Sequence, residues 1–314
     1  MATIANGAQH SLWFVEEFGY ADTVETEGVD TFSFIPLPHT GTTLAVTKDG
    51  IESEKLRGDR QIEEFRHGNK TVGGDISSEL EWGSFDALIE AVLCGTWGSP
   101  STDILVAGTT RRSFTIQRRF EDLDTVEYHN HFGCEFNSMS LSIAPNAMVG
   151  ATFGIVGKTL SIATSQISDH SGDTSPTDYK PFDSFTGAVT EGGVAITTVT
   201  SLDINIENGL EPLFSVGSQE TIRPSIGKSR VTGTLGLYFD EKTEYEKFLN
   251  ETESSLEVTL TDSASNSMKI TLPRIKYNSG QPDVSGEGSI LLSMDFTALY
   301  DSTALTNIKF DRTP

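Results

Sequence analysis

Three short stretches carry side chains at spacings that bear on chemistry. GIVGKT at 154–159 has the Gly-Lys-Thr ending of a phosphate-cradling loop. Such a loop needs a glycine five residues before Gly157 and a helix after it, because backbone N–H groups and the helix start hold the phosphates. Position 152 is Thr152 and the segment reads as a strand end, so nucleotide binding is not expected. DINIENG at 203–209 is acidic at alternate positions, as a calcium loop is, but its glycine comes one place late and Glu207 replaces the usual Asp or Asn. A solvated sheet face is the simpler reading. His129 and His131 stand at i, i+2, yet no cysteine or carboxylate spacing completes a metal site, and a pair of loop histidines is expected. No nucleophile elbow or zinc-protease helix is present, and nothing selects one carboxylate pair as acid and base. Arg57-Gly58-Asp59 and the sequons at Asn69 and Asn250 would matter only on a secreted protein. No catalytic residue, metal or cofactor is expected, which points toward a structural role.

The elements around these stretches are mostly strands. In VGGDISSELEWGSFDALIEAVLCG (72–95), Val72, Ile76, Leu80 and Trp82 share one parity, and Asp75, Ser77, Glu79 and Glu81 the other. Successive strand side chains alternate between faces, so one face packs and the other is wet and acidic. Phe85, Leu88, Ile89, Val92 and Leu93 then form one stripe of an amphipathic helix. Ser84 is the expected N-cap and Gly95 the left-handed C-terminal residue. A near-copy follows: Val231, Gly233, Leu235 and Phe239 match Val72, Gly74, Ile76 and Leu80 at a constant offset. Tyr245, Phe248 and Leu249 match Phe85, Leu88 and Ile89 after one inserted residue, and Thr243 with Glu246 reads as a capping box. This reads as an internal duplication. Period-two runs recur at 139–143, 202–206, 256–260, 268–272 and 290–296, so the class is mainly β with minor α (α+β), each half antiparallel with one helix.

The chain has 314 residues, which suits two domains, and 164–185 is polar and rich in Ser, Thr, Asp and Pro, as a linker or long surface loop is. The expected domains are 1–184 and 185–314. Residues 39–70 are charged and weakly periodic, an unusually long connection. The net charge of −23 and pI near 4.5 argue against tight nucleic-acid binding, which needs Lys and Arg on phosphates. No apolar run approaches a membrane span and no signal peptide is evident, so synthesis and assembly in the host cytoplasm are expected, with no membrane partner. Cys94 and Cys134 are then expected to be reduced and buried.

Several segments together resemble the tail tube proteins of siphophages, the bacteriophages with long non-contractile tails. They are 52–97 (ESEKLRGDRQIEEF through VLCGTW), 137–158 (NSMSLSIAPNAMVGATFGIVGK), 185–218 (FTGAVTEGGVAITTVTSLDINIENGLEPLFSVGS), 248–262 (FLNETESSLEVTLTD) and 272–302. The resemblance implies β-sandwich domains, each with a flanking helix, whose inner sheets join side by side into one barrel. Rings of six domains stack into a hollow tube that conducts double-stranded DNA from capsid to host cell. Two domains per chain would make the ring a trimer of pseudo-hexameric shape; a hexamer with the second domain outside is the alternative. Implied partners are further copies of the chain, the tape measure protein, the tail tip and tail terminator proteins, and DNA that passes without specific binding. The expected location is the virion tail.

Two surfaces then acquire roles. Asp75, Ser77, Glu79, Asp203, Asn205, Glu207, Thr232 and Thr234 are the candidates to face the channel, where acidic and hydroxyl side chains would repel phosphates and hold water. The segment 39–70 is the candidate contact between rings, through Glu52, Glu54, Lys55, Arg57, Asp59, Arg60, Glu63, Glu64 and Arg66. Competing functions are a β-sandwich virion decoration or glycan-binding adhesin, and a sandwich-based hydrolase.

Overall fold

The computed structural model describes residues 4–21, 32–56, 58–98, 103–167, 170–184, 187–284 and 286–313. Among them the first-half strands are β1 (His10–Glu16), β2 (Phe32–Pro36), β3 (Gly41–Thr42), β4 (Ala45–Glu52), β5 (Phe65–Glu79), β6 (Ile104–Val106), β7 (Phe114–Phe120), β8 (Glu127–Ile143), β9 (Gly150–Gly157), β10 (Thr159–Ala163) and β11 (His170–Asp173). The second half adds β12 (Ala188–Glu191), β13 (Val194–Ile196), β14 (Val199–Glu207), β15 (Arg230–Tyr238), β16 (Ser254–Thr261), β17 (Ser267–Tyr277), β18 (Gln281–Asp283), β19 (Leu291–Ala298) and β20 (Lys309–Thr313). Two helices, α1 (Asp86–Leu93) and α2 (Thr243–Leu249), each follow a long strand. The protein is mainly β.

The alternation seen in the sequence sets which face packs. In β5, Val72 and Ile76 are buried, as is Leu80 just beyond it, while Asp75 and Glu79 are exposed. The principal sheet runs β4–β5–β9–β8–β14–β15–β19 and is antiparallel throughout. The end of β17 and β18 add to β19 at its far edge. Across the core lie β2–β1–β7–β8–β10 in the first half and β13–β12–β16–β17–β20–β6 in the second. Strands β8 and β17 are long because each serves two sheets. In β8 the change comes beside Gly133, whose φ of +65° is left-handed backbone that glycine adopts without strain. Phe85, Leu88, Ile89 and Val92 of the α1 segment are fully buried in the core, and Phe85 stacks on Phe153 at 5.6 Å.

The pairing pattern of the first half recurs in the second. The pairs β1–β2, β1–β7, β4–β5, β5–β9, β7–β8, β8–β9 and β8–β10 have counterparts in β12–β13, β12–β16, β14–β15, β15–β19, β16–β17, β17–β19 and β17–β20. The register recurs too. Phe114 faces Cys134 and Ser254 faces Ile275, and a register shift follows each, at Phe114/Ile116 and at Ser254/Leu256. The halves also interlock: β6 pairs with β20, and Arg312 bonds both Asp86 and Asp103.

Several local expectations change. Ser84 donates to Glu81 Oε2 instead of capping α1, and Cys94, at φ +49°, is the left-handed residue rather than Gly95. Gly95 is needed for another reason: a Cβ there would strike the Val106 carbonyl of β6. No side chain caps α2; Thr243 lies inside it and Glu246 takes Lys242 Nζ at 2.6 Å. That helix buries no residue completely, with Tyr245 and Phe248 partly covered and Leu249 exposed, and Phe239 lies more open than its counterpart Leu80. His129 and His131 sit on strand β8, not in a loop. Residues 170–184 are a strap held to the first half. There β11 pairs parallel to β2, Asp173 holds Arg119 in a bidentate pair, and Phe182 is fully buried. The segment 39–70 is mostly a hairpin of β4 and β5.

Candidate functional surface: a polar sheet face shared by both halves

Every candidate channel residue lies on one face of the principal sheet. Register places them in adjacent rows. Ser77 is opposite Thr152, Thr152 opposite Ser140, Ser140 opposite Asn205, Asn205 opposite Thr232, and Thr232 opposite Thr297. The neighbouring row reads Glu79, Gly150, Ser142, Asp203, Thr234 and Asp295. On the other side lie Asp75, Gly154, Ser138, Glu207 and Arg230. Alternate residues on the same strands, including Ile76, Phe153, Leu141, Ile204, Leu235 and Met294, are buried on the opposite face. The β8–β14 pairing makes the two faces one.

The rows are hydroxyl-rich and short in the middle. Ser77 and Thr152 hydroxyls meet at 3.2 Å across β5 and β9. Glycines keep the face low: a Cβ at Gly154 would collide with Ser138 Oγ and sit against Asp75, and one at Gly236 would collide with Ser201 Oγ. Thr234 donates to Asp295 Oδ1 at 2.7 Å and Ser279 to Oδ2 at 2.8 Å. Those two hydrogen bonds, Thr234 first, hold the Asp295 carboxyl below the ordinary carboxylate range, so it stays charged. Thr152, Asp295 and Thr297 complete the rows and were not singled out from sequence. Their strands show the right parity, but the register that brings them beside Ser77 and Thr234 is a long-range property.

The second surface is the β4–β5 hairpin beyond Lys48. Its described candidate contact residues, Glu52, Glu54, Lys55, Asp59, Arg60, Glu63, Glu64 and Arg66, are exposed; Arg57 lies outside the described residues. Lys55 pairs with Glu63 at 3.1 Å and Arg66 with Glu64 at 2.9 Å, both within the hairpin. The hairpin also exposes large apolar side chains: Ile51 at 58 %, Leu56 at 98 %, Ile62 at 64 % and Phe65 at 54 %. Sequence reading weighted its charges and passed over this apolar set. The base of the hairpin is anchored, since Lys70 Nζ bonds Glu220 and Thr159, each at 2.8 Å, and its N–H donates to Gln219 O.

The chemical motifs resolve into structure. Lys158 follows the end of β9, Thr159 opens β10, and no helix follows. His131 is buried and packs its Nδ1 against Ile116 O at 3.3 Å, while His129 meets Glu127 at 3.2 Å. Burial drives the His131 pKa down to about 4. Among the described residues, no group of three or more His, Cys, Asp and Glu side chains is placed to hold a metal ion. Cys94 and Cys134 are free and buried, and burial pushes both thiols up. No described helix is long and apolar enough to cross a membrane.

The family model described as phage tail tube protein matches residues 7–298, nearly the whole chain. No curated protein sequence matches. Among solved structures, a chain of the anti-feeding prophage baseplate, seen by cryo-EM and six-fold symmetrised, is 10 % identical. It covers 39 % of this chain and 91 % of its own length at a TM-score of 0.27.

Proposed function

We infer the following from a chain that belongs to the phage tail tube protein family, and so is a structural component of the virion rather than an enzyme. It assembles side by side into rings and end to end into a hollow tail tube, of the siphophage type, through which double-stranded DNA passes. The observation that carries this is the single polar face built jointly by β5, β9, β8, β14, β15 and β19. It is too broad and too hydroxylated to be a core. Its acidic members Asp75, Glu79, Asp203, Glu207 and Asp295 make it a poor surface for nucleic acid to adhere to. As the channel wall, it would keep DNA hydrated and mobile.

The recurring pairing pattern supports a duplicated domain, and hence three chains per ring of six domains. A hexamer carrying the second half outside would leave the β8–β14 junction without a role. The hairpin beyond Lys48 is the contact to the next ring, made by its apolar side chains with its charges at the margin. Tape measure, tip and terminator proteins would meet the tube at its lumen and ends. Cryo-electron microscopy of purified tails, or of the protein after polymerisation, tests this reading. It expects trimeric rings with Ser140 and Asn205 toward the lumen. A tube with Ile204 or Leu235 toward the channel, or a chain found only outside the tube, would overturn it.

A further inference from the structure

The two halves already display one sheet-to-sheet junction, β8 with β14. Among the described residues, the corresponding edges at the two ends of the principal sheet are open. Residues 134–157 map onto 275–298 at one constant offset: Cys134 on Ile275, Phe136 on Tyr277, Ile155 on Phe296 and Gly157 on Ala298, with Asn137-Ser138 recurring as Asn278-Ser279. Leu141 and Ser142 map on Pro282 and Asp283 by the same offset, and each pair faces equivalent positions of β9 and β19. On the other side of the junction β14 maps onto β4. Ile206 faces Val231 as Val46 faces Val72, and Glu207 faces Arg230 as Thr47 faces Thr71. Among the described residues, β4 pairs only with β5, and the 276–283 segment pairs only with β19.

We propose that β4 of one copy pairs antiparallel with the 278–282 edge of the next. Ala45 then lies opposite Gln281, Val46 opposite Gly280 and Thr47 opposite Ser279. This rests on the tail tube reading and names the contact that closes its ring. The register is the β8–β14 register carried across: Asn205 opposite Ser140, Ile206 opposite Met139 and Glu207 opposite Ser138.

Two details of the chain fit this seam. At the existing junction, Asn137 O accepts from the Asn208 N–H at 2.8 Å and Asn137 Oδ1 from the Leu210 N–H at 2.7 Å. Asn278 occupies the matching place, with Nδ2 committed to Thr297 and Oδ1 left to accept. Its donors across the seam would be the N–H groups of Lys48 and Gly50. The second detail concerns Pro282, the counterpart of Leu141. Backbone groups of an antiparallel strand alternate in direction, so Ile204 turns the same way as Asn208, toward β8, and its counterpart Leu44 turns toward the seam. Pro282 has no N–H to give the Leu44 carbonyl. That carbonyl already accepts from Arg118 Nη1 of its own chain at 2.8 Å. The proline therefore costs the seam nothing, while it spoils the edge for indiscriminate strand addition. A donor edge and a different acceptor edge make a heterologous contact, the kind that generates rings when the rotation closes.

The test is the double variant Ala45→Cys with Gln281→Cys, polymerised and then mildly oxidised. Positions 45 and 281 would be a non-hydrogen-bonded pair, where side chains come closest. The native Cys94 and Cys134 are buried and stay silent. Under denaturing, non-reducing electrophoresis the monomer band should be lost into a ladder ending at the ring size, with neither single variant giving one. Tubes that form without that ladder would overturn the seam and leave the tube reading intact. A wild-type chain that never forms rings or tubes would overturn both. If the double variant does not assemble, hydrogen exchange on wild-type tubes decides: Val46 and Lys48 amides should slow at least about 100-fold relative to the monomer. Unchanged exchange there would reject the seam.

Discussion

Reversing charge on the polar face is the most direct probe of the channel assignment. Glu79 and Asp203 stand in one row, separated by Gly150 and Ser142, which carry no charge that could compensate. Changing both to Lys moves each position from negative to positive, and in the proposed tube the rows would repeat around every ring and along every stacked ring. One lysine near one phosphate is screened within about 10 Å at ordinary salt and counts for little. The multiplicity is what decides. Each phosphate neutralised steepens the fall of log affinity with log salt by roughly 0.9 on double-stranded DNA, so two lysines per chain add up to about 1.8 per chain engaged. The wild-type tube should bind DNA weakly at every salt. Phage carrying Glu79→Lys and Asp203→Lys should assemble, then release DNA slowly or incompletely, with recovery as salt rises. Dye-reported DNA release from triggered particles reads this, with Glu257→Lys on the flanking sheet strand β16 as the control. If the double variant assembles and ejects at the wild-type rate at low salt, the face does not line the channel.

Three further outcomes follow from the geometry. Serine at Ile51, Leu56, Ile62 and Phe65 together should leave rings intact but stop them stacking, as seen by electron microscopy; tubes of normal length would show that the hairpin tip is not the inter-ring contact. Gly233→Ala would place a Cβ against the Asp203 carbonyl and the Phe296 ring, whereas at Gly150 the nearest atom, Ser142 O, is 4.0 Å away. The first should lower stability by about 1–3 kcal/mol in urea unfolding and the second should be near neutral; equal effects would contradict the packing. His131, with a folded pKa of about 4 against an ordinary 6.5, favours the folded state above pH 6.5 and loses that contribution as pH falls toward 4. The loss by pH 4.5 should be about 2–3 kcal/mol, and His131→Gln should flatten that part of the stability profile; an unchanged slope would place the titration elsewhere.

What could be read from sequence was what is local. Period-two alternation placed Ile76, Leu141, Ile204 and Leu235 inside and their neighbours outside, because a half-buried strand imposes that pattern on each segment separately. It could not show that Asp75 and Asp203 belong to one face, since that depends on β8 pairing with β14 across the chain. The hairpin at 45–73 was hidden because its outer part is exposed on both faces and its register slips between Lys48 and Gly50. Neither condition leaves a period. The strap at 170–184 was hidden for a related reason: its anchors, Asp173 on Arg119 and Phe182 in the core, are single residues in a polar run. Helix caps failed at both ends of α1 because other contacts, Ser84 with Glu81 three residues back and Gly95 against the distant Val106, took the residues that the capping rules had assigned.

The second helix resembles the first in sequence but not in burial. Pairing constrains every strand of the repeat, so β5 and β15 keep glycines where another backbone passes close: Gly74 under Thr43 O and Gly233 under Asp203 O. A helix outside the ladder is held only by what it covers. Helix α1 packs against β8, the chain just after it runs against β6 at Gly95, and its apolar stripe is fully enclosed. Helix α2 has no described strand in the place of β6, and Leu249 stays open while Lys247 turns inward to pair with the buried Glu191. In a ring, the two halves would therefore present different outer flanks beneath a common inner face. The ladders of both sheets recur between the halves because pairing constrains each strand, whereas the cover over a helix outside the ladder is free to differ.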